Sequence, residues 1–159
     1  MQILFNVLHI VSAVFIVGPM AILPMTAMRA LRAGNGAQVA TLAKSSYVFS
    51  LLSLIVALFG FGALGMSDPK DNFSFTSPWI LISIVLYVIA VALSLFLVVP
   101  AMRRAAEQLE SGATTDAAGT AAGASRGEGT SSGYGAIAGG SGIVALLLVA
   151  VVVLMVWKP

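Results

Sequence analysis

The stretch WILISIVLYVIAVALSLFLVV, residues 79–99, decides the fold class of this chain. It contains no Asp, Glu, Lys or Arg, and its length matches the ~20 apolar residues that cross a hydrocarbon core ~30 Å thick. Three further stretches of similar length and composition lie at residues 3–23, 47–66 and 137–157. We therefore predict an all-α protein, a four-transmembrane-helix bundle that forms a single integral membrane domain.

The composition supports the same class. Hydrophobic residues make up 59% of the 159 residues and charged residues only 9%, with a mean hydropathy of +1.03. A water-soluble fold would have too few polar residues to cover its surface, so the lipid bilayer is the expected partner. The cationic residues are spread along the loops and form no basic patch, which argues against nucleic acid as a partner. The absence of cysteine excludes disulfides and thiolate metal sites.

The distribution of cationic residues predicts the topology. Six of them lie between spans one and two or between spans three and four: Arg29, Arg32, Lys44, Arg103, Arg104 and Arg126. Two lie on the other side of the predicted membrane: Lys70 and Lys158. The positive-inside rule therefore predicts a multi-pass membrane protein with both termini outside and with residues 24–46 and 100–136 in the cytoplasm. A small-x-small pattern near residues 26–30 leaves signal-peptide cleavage as an alternative, but the first span lacks a basic leading segment.

Two features interrupt the spans. Pro19 removes one backbone donor from the first span, so we expect a kink there. Span three is expected to stop at Pro100, followed by a short amphipathic helical extension over residues 102–109. Residues 111–133 consist almost entirely of Gly, Ala, Ser and Thr, a composition that predicts a flexible cytoplasmic linker.

An ionisable side chain within a span is the main candidate for a functional site. His9 shares a predicted polar intramembrane face with Asn6 and Ser12. As a neutral imidazole it could bind a cofactor, as an axial ligand to heme iron or to another metal. The alternative is a hydrogen bond to another helix. A second axial ligand would come from a histidine of another chain or from a methionine of this one: Met20, Met66 or Met155.

Small and hydroxyl-bearing residues recur at helical spacing in three spans. Such residues allow helix backbones to approach closely in lipid, so we predict helix–helix contacts rather than the wall of a substrate path. The predicted packing residues are Ser46, Ser50, Ser53 and Gly60 in span two, Ser83, Tyr87 and Ser94 in span three, and Gly135, Gly139 and Gly142 in span four, with Ala136 and Gly140 beside them.

Two short motifs carry a family resemblance. With LHIVSA at residues 8–13 followed by Gly18, and with the ending VLMVWKP at residues 153–159, the chain resembles predicted bacterial integral membrane proteins of the DUF2269 family, a domain of unknown function. The resemblance implies the four-span plan, a location in a bacterial cytoplasmic membrane, and no assigned reaction. The first-span histidine is also similar to that of the protoporphyrinogen-oxidase-like and copper-resistance membrane proteins, from which this chain departs by lacking further histidines.

The charged residues form no constellation suited to general acid–base catalysis, so we expect the protein not to be an enzyme. The first functional hypothesis is an accessory or interaction subunit that works by helix contacts, with other membrane proteins as partners and no cofactor. The alternative is a heme- or metal-binding redox protein that uses His9. A small-solute transporter is a third hypothesis, disfavoured because the spans carry no charge and the chain shows no inverted repeat.

Overall fold

The computed structural model describes residues 2–66, 77–117 and 128–157. In this part of the chain there is no strand, and four helices are long and apolar enough to cross a membrane, which confirms the predicted fold class. Span one consists of α1 (Gln2–Ser12), a π-helical segment (Ala13–Val17) and α2 (Gly18–Arg32), and span two is α3 (Gly36–Gly65). Span three consists of α4 (Pro78–Leu93), a second π-helical segment (Ser94–Val98) and α5 (Val99–Ala117), and span four is α6 (Glu128–Trp157).

A tight turn joins the first two spans and makes them antiparallel neighbours. Gly34 has φ +70°, a left-handed conformation that glycine adopts without steric cost. The Asn35 side chain then caps α3 by accepting a hydrogen bond from the Gln38 amide at 3.0 Å. Helix α3 therefore starts at Gly36, well before the apolar stretch at residue 47, because hydropathy marks only the part of a helix that lies in hydrocarbon.

The region predicted as a flexible linker, residues 111–133, differs from the prediction at both ends. Helix α5 continues to Ala117 and α6 begins at Glu128, so residues 111–117 and 128–133 are helical. Alanine favours helix, and a helix that is already packed can extend into a stretch that would not form one alone. Residues 118–127, which include Arg126, lie outside the described residues.

Each π-helical segment ends two residues before a proline, Pro19 in span one and Pro100 in span three. Proline lacks an N–H and its ring clashes with the carbonyl four residues earlier, so the backbone must depart from α-geometry just before it. The departure before Pro19 lies where we expected a kink. Span three does not stop at Pro100 but continues through it as α5, since the widened π turn accommodates the ring.

The two hairpins, spans one–two and spans three–four, repeat the same plan. Helix α1 packs on α3 as α4 packs on α6, and α2 contacts α6 as α5 contacts α3. The residues around the prolines repeat too: FIVGP at 15–19 and FLVVP at 96–100. This repeat is of the parallel kind, in which both halves enter the membrane from the same side.

The four spans meet around α2 and α5, at the end of the bundle where Arg29, Arg32, Lys44, Arg103 and Arg104 lie, which we call the basic end. The core here is built from small and medium side chains, among them Met20, Ala27, Ala30, Val39, Ala43, Val98, Met102 and Ile137. Toward the opposite end α1 packs mainly on α3, and α4 mainly on α6. The bundle is thus tightest at its basic end and separates into two helix pairs away from it.

Candidate functional site

His9 lies on α1 with its ring against α3 and is partly buried. Its Nδ1 atom is 2.8 Å from the carbonyl oxygen of Val56. Because a carbonyl oxygen only accepts hydrogen bonds, Nδ1 must carry the proton in this contact. The neutral ring then has its lone pair on Nε2. The structure therefore places the candidate ligand in a helix–helix hydrogen bond that leaves one ring nitrogen free to accept.

Two glycines of α3 make room for the side chains of α1. A Cβ atom on Gly60 would lie 2.8 Å from Cε1 of His9, closer than real Cβ contacts allow, and 3.0 Å from Nδ1. Gly62 accommodates the Phe5 ring in the same way, with Cδ1 and Cε1 both 2.7 Å from such an atom. Gly60 lies one helical turn after Val56. A side chain at position 60 would therefore block the His9 ring from the Val56 carbonyl.

The predicted polar face of α1 does not act as one unit. Asn6 is exposed, and the Ser12 hydroxyl donates to carbonyl oxygens of its own helix, those of Leu8 at 2.6 Å and His9 at 3.1 Å. A spacing of three residues turns the helix face by roughly 60° per step, so Asn6 and Ser12 lie on either side of His9. Of the three side chains, only that of His9 is hydrogen-bonded to another span in the described structure.

A second polar cluster joins spans two and three. The hydroxyl groups of Ser50 and Ser94 are 2.8 Å apart, and those of Ser53 and Tyr87 are also 2.8 Å apart. Ser53 donates its single hydroxyl proton to the Ser50 carbonyl at 2.7 Å, so Tyr87 must be the donor to Ser53. Four of the predicted packing residues thus lie together at one helix–helix contact. The sequence suggested their faces but not these pairings.

The two remaining serines of the predicted stripes are buried without reaching a second helix through a hydrogen bond. Ser83 donates to the Trp79 carbonyl of its own helix at 2.8 Å. The Ser46 hydroxyl has no hydrogen-bond partner within the described part of the chain. The side chains of Ser46 and Ser83 are both at most 1% exposed. Their small size, more than their hydroxyl group, therefore accounts for their positions between helices.

Of the small residues predicted to pack in span four, Gly140 lies at a helix contact, whereas Gly135, Gly139 and Gly142 do not. Gly135 and Gly139 are exposed, and a Cβ atom on either of them, or on Gly142, would meet no other atom within 4 Å. Gly140 makes the close contact instead, since a Cβ there would lie 3.0 Å from Val98 Cγ2. Glycines occur all round the start of α6, so their spacing could not identify the packed face. That face carries Ile137, Gly140, Ser141, Val144 and Leu148.

Ligands for a metal are sparse near His9. The described residues contain no group of three or more His, Cys, Asp or Glu side chains that could hold a metal ion. Met20, one candidate axial partner, lies in the core of the basic end, about 16 Å further along the same span. Met66 and Met155 are 45% and 37% exposed. The site therefore offers a single imidazole nitrogen, Nε2 of His9.

We expect Gly60→Ala to destabilise the bundle by about 1–3 kcal/mol, because the added methyl group forces the His9 ring from its place. The measurement is the free energy of unfolding in mixed detergent micelles. Combining the change with His9→Ala should remove most of the added cost. Gly139→Ala is the matched control, since a methyl group there meets nothing. Equal stability of the two glycine variants would contradict the contact.

The comparisons with known proteins agree with the geometry at the level of the family. A family model described as "Predicted integral membrane protein (DUF2269)" matches residues 3–159. No curated protein and no solved structure matches the chain. Since the match covers nearly the whole sequence and four apolar helices form the structure, the chain belongs to the DUF2269 family of predicted integral membrane proteins.

Proposed function

We propose that the protein is a non-enzymatic accessory or interaction subunit that works through helix contacts with another membrane protein. The observation that carries this proposal is how the polar side chains of the spans are used. His9, Ser50, Ser53, Tyr87 and Ser94 all form hydrogen bonds between helices of the same chain. Groups engaged in this way support packing rather than substrate chemistry.

The surface offered to a partner is the outward face of α1. This helix packs mainly on α3, and its other side exposes Val7 and Ile10 by 51% and 62% of their areas. Val14, in the π-helical segment that follows α1, is 65% exposed. Asn6, also exposed, lies next to this apolar stripe. An asparagine amide within a membrane span gains from hydrogen bonding to a neighbouring helix, so it would orient a partner on this face.

A photoreactive amino acid at Ile10 tests the proposal. We expect it to give a discrete adduct with one membrane protein, and Asn6→Val should reduce the yield. The same probe at Val149 on α6, which is 59% exposed, is the control and should react only with lipid. The absence of any protein adduct from α1 would contradict the proposal. Loss of the protein's physiological activity in His9→Ala, with the bundle still folded, would also contradict the proposal.

A second candidate function, heme or metal binding, rests on the free nitrogen of His9. Histidines that bind metals commonly donate the other ring N–H to a carbonyl or carboxylate, as Nδ1 does here to Val56. His9 would supply one ligand to such a group, and a second ligand would have to come from another copy of the chain or from a methionine. Heme bound in this way would supply one-electron redox chemistry.

An absorption spectrum of the protein, oxidised and reduced, separates the two candidates. The accessory-subunit proposal predicts no stoichiometric Soret band after purification in mild detergent from a host that makes heme. A Soret band that disappears in His9→Ala but persists in Ser12→Ala would support the heme candidate instead. Ser12 is a suitable control because its hydroxyl bonds only to its own helix.

We further propose a bacterial cytoplasmic membrane as the location, with both termini outside. The concentration of cationic side chains at the basic end supports this orientation. The chain has no cysteine, so single cysteines can report the orientation. We expect a membrane-impermeant maleimide to label Lys70→Cys in intact cells and to label Ala37→Cys only after the cells are opened. The reverse pattern would contradict the orientation.

A further inference from the structure

A groove of about 620 Å³ lies between α3 and α5 at the basic end. Its lining includes Ala40 and Ala106, whose small side chains take up little of the space between the helices. Tyr47 and Val48 line the part nearest the membrane interior. Four charged side chains line the rest: Lys44, Arg103, Glu107 and Glu110.

The charges are ordered along the groove. Helix α5 runs toward the basic end. Along its axis Glu107 lies about 6 Å beyond Arg103, and Glu110 lies about 10 Å beyond Arg103. The two cations thus lie next to the apolar part, and the two carboxylates lie further from the membrane interior. A zwitterionic molecule with its anionic group nearer the hydrocarbon would match this order.

Contacts with α3 hold the first and last of these charges in place. The Arg103 guanidinium lies over the Tyr47 ring, 5.3 Å from its centroid, a distance at which the cation is attracted to the ring face. At the other end the stem of Glu110 rests against Gly36, where a Cβ atom would be 3.0 Å from Glu110 Cγ. Both ends of the groove therefore present a charged group held against the opposite helix.

We propose that this groove binds the headgroup of an aminophospholipid. The phosphate lies between Lys44 and Arg103, the primary ammonium donates to Glu107 and Glu110, and the acyl chains pass along Tyr47 and Val48. In such a lipid the phosphate separates the acyl region from the amine, which is the order of the side chains. Two cations and two carboxylates suit a neutral zwitterion better than an anionic headgroup. The inference does not depend on the function proposed above.

Three lipids with a common phosphate distinguish the proposal from general lipid binding. Phosphatidylethanolamine carries an ammonium that donates hydrogen bonds. Phosphatidylcholine has a quaternary ammonium with no N–H, and phosphatidylglycerol has no cation in its headgroup. Native mass spectrometry of the detergent-purified protein with each lipid measures the affinities. We expect the ethanolamine lipid to bind roughly tenfold more tightly than the choline lipid, the gain from charge-assisted hydrogen bonds. Equal affinities, or tightest binding of phosphatidylglycerol, would overturn the proposal.

Variants test which side chains make the distinction. Glu107→Gln combined with Glu110→Gln keeps the shape of the groove and should abolish the preference for ethanolamine over choline. Arg103→Ala should weaken binding of all three lipids. Arg104→Ala is the matched control, because this exposed neighbour does not line the groove. An unchanged preference in the double glutamine variant, or equal losses in the two arginine variants, would also overturn the proposal.

Discussion

The contact between His9 and α3 shows the constraint on which the bundle depends. In hydrocarbon a polar group has no water to bond to, so a hydrogen bond within the protein stabilises it there. Helix α3 provides hydrogen-bond partners along one span: the Val56 carbonyl for His9, Ser53 for Tyr87 and Ser50 for Ser94. Because lipid gives no hydrophobic drive between helices, close packing at Gly60 and these hydrogen bonds hold spans one and three to span two.

The repeated hairpin plan distributes this packing unequally along the membrane normal. Each hairpin carries a π-helical segment before a proline, and the core gathers on the α2 and α5 side of these prolines. On the other side the two helix pairs have separate contacts, which leaves one face of α1 uncovered. The basic end thus combines the stable core with the charged groove, while the opposite half carries His9 and the surface proposed for a partner.

Hydropathy alone predicted the fold, because a span must be apolar over its whole length. The site was predictable only in part. Composition could identify His9 as an unusual residue in a span, but its partner is a backbone carbonyl, which no side-chain pattern reveals. Glycine spacing in span four could not separate Gly140, which packs against Leu97 and Val98, from the other glycines, because several faces of α6 carry glycine. The extensions of α5 and α6 were missed because low hydrophobicity is compatible with either a loop or a continued helix.

The state of the single histidine tests this account most directly. Selective ¹⁵N-histidine labelling gives signals from His9 alone, and magnetic resonance of the protein in lipid reports which ring nitrogen carries the proton. The account predicts a neutral ring protonated at Nδ1, with this proton hydrogen-bonded, and a shift of the Nδ1 signal in Gly60→Ala. A ring protonated only at Nε2 would contradict it, because the Val56 carbonyl could then receive no hydrogen bond from Nδ1.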